Sequence, residues 1–203
     1  MVLVKVCGIT NYEDAVAAVA CGVDMLGFVF AESKRRVTPT EAAGIIKALE
    51  GCVMTVGVFV DEPVERVNEI ARLCGLDYVQ LHGSENHQYV SGLMVPFVKA
   101  FRAKDEGVIE EIKSFGAEMF ILDSYDSHKA GGTGKRIDLR IAEKAAGLGK
   151  LILAGGLTPM NVAELVKRVR PYGVDVSSGV EVAPGKKDLQ KIRKFVEEVR
   201  RCG

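Results

Sequence analysis

Eight short apolar runs alternate along this chain with eight amphipathic stretches, at a period of roughly 25 residues. The runs cover 2–6, 25–30, 53–60, 78–81, 97–101, 119–122, 151–154 and 174–177. They are rich in Val, Ile, Leu and Phe with little polar alternation, the pattern of strands buried on both faces of a parallel sheet. The stretches between them predict helices over 11–21, 39–49, 63–74, 85–93, 105–115, 139–146, 159–170 and 188–200. Their ends are punctuated. Thr10 or Asn11 can cap the first, with Glu13 and Asp14 in its first turn. Pro39, Pro63 and Pro159 lie near helix starts, and Gly22, Gly51, Gly75 and Gly116 follow helix ends. Repeated βα units allow an open doubly wound sheet or a closed barrel. Eight even units without a Gly-rich dinucleotide fingerprint after the first strand favour an α/β fold of one domain, 1–203: a (β/α)8 TIM barrel of eight parallel strands with outer helices.

Composition limits the partners. Lys plus Arg equals Asp plus Glu, 27 against 27, so no net field recruits nucleic acid or an anionic membrane. No apolar run is long enough to span a bilayer, and the first residues lack the form of a secretory signal. The cysteines, Cys7, Cys21, Cys52, Cys74 and Cys202, are odd in number and contain no Cys-x-x-Cys pair. Neither a disulfide framework nor a metal site is expected, and the cytoplasm is the expected compartment. A phosphorylated ligand would be held by local geometry.

A barrel carries its chemistry at the C-terminal ends of its strands. The polar residues there are Lys5 and Cys7, Gln80 and His82, Asp123, and Asp175 and Ser177. Alternation sends Val2, Val4 and Val6 toward the helices and Leu3, Lys5 and Cys7 into the barrel. Cys7 then has two expected sources of thiolate character, the Lys5 ammonium and the following helix N-terminus. Asp123 closes an otherwise apolar strand; a carboxyl above an apolar wall keeps its proton more readily, which suits a general acid. Asp126, three residues on, is its rival. Gly155-Gly156 and Ser177-Ser178-Gly179 follow the last two strands, where barrels commonly bind phosphate through backbone N–H groups. The basic run Lys34-Arg35-Arg36 follows the second strand, where one arginine can clamp a carboxylate.

The ordered motifs Lys5-Val6-Cys7-Gly8-Ile9-Thr10, Val79-Gln80-Leu81-His82-Gly83, Gly131-Gly132-Thr133-Gly134-Lys135, Ala154-Gly155-Gly156-Leu157, Val174-Asp175-Val176-Ser177-Ser178-Gly179-Val180-Glu181 and Pro184-Gly185-Lys186-Lys187-Asp188 run from the first strand to the last helix. Together they resemble the phosphoribosylanthranilate isomerase family of tryptophan biosynthesis. The resemblance implies a cofactor-free, metal-free Amadori rearrangement of N-(5-phosphoribosyl)anthranilate to 1-(2-carboxyphenylamino)-1-deoxyribulose 5-phosphate. It makes Cys7 the base and Asp123 the acid. It gives Arg35, with Arg36 as neighbour and rival, to the anthranilate carboxylate. His82 and Asp175 become further substrate contacts, and Gly155, Gly156, Ser178 and Gly179 the phosphate site. The implied partner is a small phosphosugar, with the chain a monomer or homodimer. Two other readings are another phosphosugar isomerase or epimerase and a non-catalytic phosphosugar-binding barrel. A metal-dependent epimerase would need a cluster of strand-end ligands.

Overall fold

The computed structural model describes residues 1–49, 51–124 and 138–203. Among them the chain runs β1 (Leu3–Cys7), α1 (Tyr12–Ala20), β2 (Met25–Val29), α2 (Pro39–Ala48), β3 (Met54–Phe59), α3 (Val64–Cys74), β4 (Tyr78–Leu81) and α4 (His87–Val90). It continues through β5 (Phe97–Ala103), α5 (Gly107–Phe115), β6 (Met119–Ser124), α6 (Leu139–Ala146), β7 (Lys150–Leu153), α7 (Val162–Val169) and β8 (Gly173–Val176). A 3-10 turn (Ser178–Val180), β9 (Glu181–Ala183), β10 (Lys186–Lys187) and α8 (Leu189–Arg200) complete it. Strands β1 to β8 pair in parallel in sequence order, and β8 returns to β1 to close the barrel.

The two faces of each strand are divided as the alternation requires. Val4 and Val6 of β1 join the large core between strands and helices, with Leu26, Phe28, Phe120, Leu151 and Phe195. Met25, Val56, Val98, Ile121 and Ile152 fill the barrel interior, with Leu3 packed against them. Above that apolar floor the interior turns polar: Lys5, Gln80 and Asp175 lie inside, and the parallel register sets Lys5 beside Asp175 across the β1–β8 seam. Buried charge is costly unless paired, so this layer points to the mouth directly above it.

Helix ends follow their local chemistry. Asn11 caps α1 by accepting from the Asp14 N–H, and Thr38 with Glu41 forms a capping box ahead of Pro39. Gly75 and Gly116 end α3 and α5 in left-handed conformations that cost a side-chain-bearing residue energy. Carboxylates on the opposite face of the barrel are structural. Asp24 accepts from the Val4 N–H and from Arg200, and Asp77 from the Thr55 N–H and hydroxyl. These bonds tie strand starts to neighbouring elements.

Three expectations about elements change. The helix predicted over 85–93 contracts to α4, because the Glu85 carboxylate turns inward to Lys99 and to the N–H groups of Asp61 and Gly83. The helix predicted from 159 begins at Val162, because Asn161 folds back, accepting from the Thr158 N–H and donating to the Gly156 carbonyl. The β9–β10 hairpin was not expected; Pro184-Gly185 makes its turn, with Gly185 at φ 82°. No helix among the described residues is long and apolar enough to cross a membrane.

Candidate active site

Strand β1 delivers Lys5 and Cys7 to the mouth from one side. The register pairs Cys7 with Gly27 of β2, and a Cβ at Gly27 would come within 2.7 Å of Cys7 Sγ and 3.1 Å of Lys5 Nζ. The two side chains therefore occupy the space that glycine leaves. We expect Gly27→Ala to overpack this spot and destabilise the fold by about 1–3 kcal/mol. A urea unfolding midpoint unchanged from the parent would show instead that Cys7 swings aside without strain.

Lys5 Nζ donates to Asp175 Oδ2 at 3.0 Å, with both side chains almost fully buried. Burial alone would lower the Lys5 ammonium, but Asp175 and Cys7 raise it above its usual value, so it stays charged. Burial also raises the Asp175 carboxyl, more than Lys5 lowers it. Asp175 Oδ1 is buried without a hydrogen-bond partner among the described residues. A buried acceptor that lacks a donor is expensive in a folded protein, and here it lies next to the reactive groups.

Cys7 departs from its expected behaviour. Burial pushes its thiol above the usual value and outweighs the lowering by Lys5 and Lys187, so the resting side chain is a thiol rather than a thiolate. At the start of α1, Asn11 Oδ1 takes the Asp14 N–H.

Across the mouth, Asp123 near the end of β6 does not sit above a purely apolar wall as expected. Its side chain is 28% exposed, and Oδ2 faces His82 Nε2 at 3.6 Å. Gln80 Nε2 stands 3.0 Å from His82 Nδ1. With Gln80 donating there, the remaining imidazole proton lies on Nε2 and points toward the carboxylate. The loop that follows His82 is itself held in place. Lys99 Nζ donates to the Gly83 carbonyl at 2.6 Å and to Glu85 at 2.9 Å, and a Cβ at Gly83 would overlap the Asp61 carboxylate.

The basic run after β2 divides. Arg35 turns inward, with its stem across Gly8. Its guanidinium donates from Nε and Nη2 to the Glu181 carboxylate at 2.8 and 2.6 Å. Arg36 is exposed and lines, with Lys34, Lys186, Thr10 and Asn11, an outer cleft of about 620 Å³. The sequence motifs contain Glu181 and Lys187 but give them no role. Lys187 Nζ donates to Glu181 Oε1 at 2.7 Å and to the Cys7 carbonyl at 2.6 Å. The Pro-Gly turn between them was the legible sign that the two would meet.

The last two loops approach each other closely. Gly155 and Gly156 hold φ values of 87° and 66°. A Cβ at Gly155 would strike Ser124, and one at Gly179 would strike the Leu157 carbonyl. Two consecutive left-handed glycines beside a short 3-10 turn resemble backbone cradles that take anions. The run 131–135 and Asp126 lie outside the described residues. Among the described residues, no group of three or more His, Cys, Asp and Glu is placed to hold a metal ion. The mouth thus brings together a thiol, a carboxyl backed by imidazole, a buried ammonium–carboxylate pair and an inward guanidinium. That set can move protons at two points of one small anionic ligand.

Residues 4–198 match the family model described as N-(5'phosphoribosyl)anthranilate (PRA) isomerase. The N-(5'-phosphoribosyl)anthranilate isomerase of Pelobacter propionicus is 50% identical over 197 residues, covering 97% of this chain and 94% of the relative. The crystal structure of phosphoribosyl anthranilate isomerase from Thermotoga maritima superposes with a TM-score of 0.94 at 38% identity, covering 99% of this chain and 100% of that one. A structure of such an isomerase in complex with reduced 1-(o-carboxyphenylamino)-1-deoxyribulose 5-phosphate gives a TM-score of 0.89 at 37% identity, covering 99% and 100% of the two chains. The barrel, its ordered strand-end motifs and these likenesses agree along almost the whole sequence: the chain belongs to the N-(5'-phosphoribosyl)anthranilate isomerase family.

Proposed function

We propose that this chain catalyses the Amadori rearrangement of N-(5'-phosphoribosyl)anthranilate in tryptophan biosynthesis, with Asp123 as acid and Cys7 as base. The observation that carries the roles is the pairing of two unlike proton carriers at one mouth. Cys7 is packed over Gly27 beside the Lys5–Asp175 pair, and Asp123 is partly open to solvent and backed by His82.

In this reading Asp123 gives its proton to the ribose ring oxygen as the C1–O bond breaks. The nitrogen lone pair forms an iminium at C1. The Asp123 carboxylate left behind faces the His82 Nε2–H, which stabilises its charge. The iminium acidifies the C2 proton; Cys7, whose own proton passes to solvent at the mouth as the cation forms, takes it as a thiolate to leave an enolamine, which tautomerises to the ketone. Ring opening assists its own second step, because the new cation next to Cys7 opposes the burial that keeps the thiol protonated.

Arg35 faces the anthranilate carboxylate in preference to Arg36, since Arg35 turns inward onto Glu181 with its stem across Gly8 while Arg36 is exposed. Asp175 Oδ1 accepts from a ribose hydroxyl, which would satisfy its buried lone pair. Gly155, Gly156, Ser178 and Gly179 hold the phosphate through their backbone, supplying binding energy remote from the reacting carbons. The test is turnover of the anthranilate adduct followed by its fluorescence, in chelator-treated buffer. Conversion is expected. Saturable binding without conversion would leave only a phosphosugar-binding barrel, and activity that disappears with chelation would point to a metal-dependent reaction.

A further inference from the structure

We infer that Glu181 is a positioning residue that sets the specificity of this site for a ligand carboxylate, by fixing which edge of Arg35 is free. The inference rests on the role proposed for Arg35. Glu181 is almost completely buried and serves two cations at once. Its oxygens accept from Arg35 Nε and Nη2, and Oε1 also accepts from Lys187 Nζ and from the Gly185 N–H at 3.3 Å. Burial alone would raise this carboxyl, but the hydrogen bonds from Arg35 and Lys187 hold it below the usual carboxylate range, so it stays ionised.

A guanidinium offers two edges for a bidentate carboxylate, one through Nε and the other end-on through both terminal nitrogens. Glu181 occupies the first. Nη1 has no partner among the described residues, so the end-on edge remains for a ligand. Charge follows the same division. One carboxylate against two cations leaves a single positive charge, matched to one further carboxylate in a half-buried setting.

The position of Glu181 is itself well determined. Lys191 Nζ donates to its carbonyl at 2.8 Å, the Pro184-Gly185 turn brings Lys187 back onto it, and Asp14 accepts the Lys187 N–H at 2.7 Å. Through Lys187 the same carboxylate is joined to the Cys7 carbonyl. The group that fixes Arg35 thus lies on the unexpected hairpin rather than at a barrel strand end.

The experiment compares the anthranilate adduct with its aniline counterpart, which lacks the ortho carboxylate, in wild type, Glu181→Gln, Glu181→Asp and Arg35→Met. For the anthranilate adduct we expect KM to rise by about ten-fold in Glu181→Gln, the scale of a charge-assisted hydrogen bond, with kcat changed far less. For the aniline adduct, KM should match wild type. Glu181→Asp keeps the charge balance but shortens the reach, so it gives the same selective rise in a chain with its buried cations still neutralised. In the Arg35→Met background, Glu181→Gln should add nothing to KM, because the effect passes through the arginine. An unchanged KM in both Glu181 variants, or an equal rise for the two substrates, would overturn the inference. If Arg35→Met itself keeps a normal KM for the anthranilate adduct, the fault lies with the role of Arg35.

Discussion

Cys7→Ala is expected to lose turnover of the anthranilate adduct by about 10²–10⁴-fold, the usual contribution of a positioned general base. Its affinity for a reduced product analogue should stay near wild type, because the groups proposed to bind the carboxylate and phosphate lie on other loops. Cys7→Ser should behave alike, since a hydroxyl is too weak a base to replace a thiolate. The fold should survive, as Cys7 belongs to neither of the two apolar clusters that make the core. The thiol also has a pH signature. Burial raises it, so at neutral pH the native side chain is protonated where an exposed thiol has already begun to ionise. Alkylation by iodoacetamide, read at each cysteine by peptide mass spectrometry, should therefore find Cys7 slower than exposed Cys52 near neutrality. The rate at Cys7 should climb only above the ordinary thiol range. Lys5→Met should delay it further, because the Lys5 ammonium is the main charge that lowers that thiol. Wild-type turnover in Cys7→Ala would reject the base, and Cys7 reacting as fast as Cys52 at neutral pH would reject the account of its burial.

The barrel was legible because its strands are buried on both faces. Such strands write a continuous apolar run into the sequence, and the inward residues Leu3, Lys5 and Cys7 follow from alternation alone. Strand-end position likewise made Asp123, His82 and Asp175 visible. The protonation of Cys7 was not legible. Sequence showed a neighbouring lysine and a helix start, but how far the thiol is desolvated depends on Gly27 and the packed interior above β2. Glu181 and Lys187 escaped for a related reason. Their importance lies in a two-strand hairpin that adds nothing to the barrel period, and its turn chemistry fixes the contact only in three dimensions. Arg35 and Arg36 are adjacent and chemically equal in sequence. They separate because Gly8 leaves room for one stem across the end of β1, while Arg36 forms an isolated bridge with Val29 and faces outward.

Asp123→Asn should remove the other half of the reaction. Asparagine keeps the size of the side chain and its hydrogen-bonding capacity, but it has no acidic proton to give the ribose ring oxygen. We expect a loss of about 10²–10⁴-fold in kcat with little change in affinity for the product analogue. Because ring opening precedes removal of the C2 proton, the variant should also fail to exchange that proton with deuterated solvent, although Cys7 is intact. His82→Gln should be milder. It removes the imidazole 3.6 Å from Asp123 but leaves the proton donor in place, so it weakens stabilisation of the carboxylate formed during ring opening. Asp126→Asn is the control that locates the acid. Normal turnover in Asp123→Asn with loss in Asp126→Asn would move the role three residues along the chain. Loss in Asp123→Asn alone would leave the acid at the end of β6, across the mouth from the thiol.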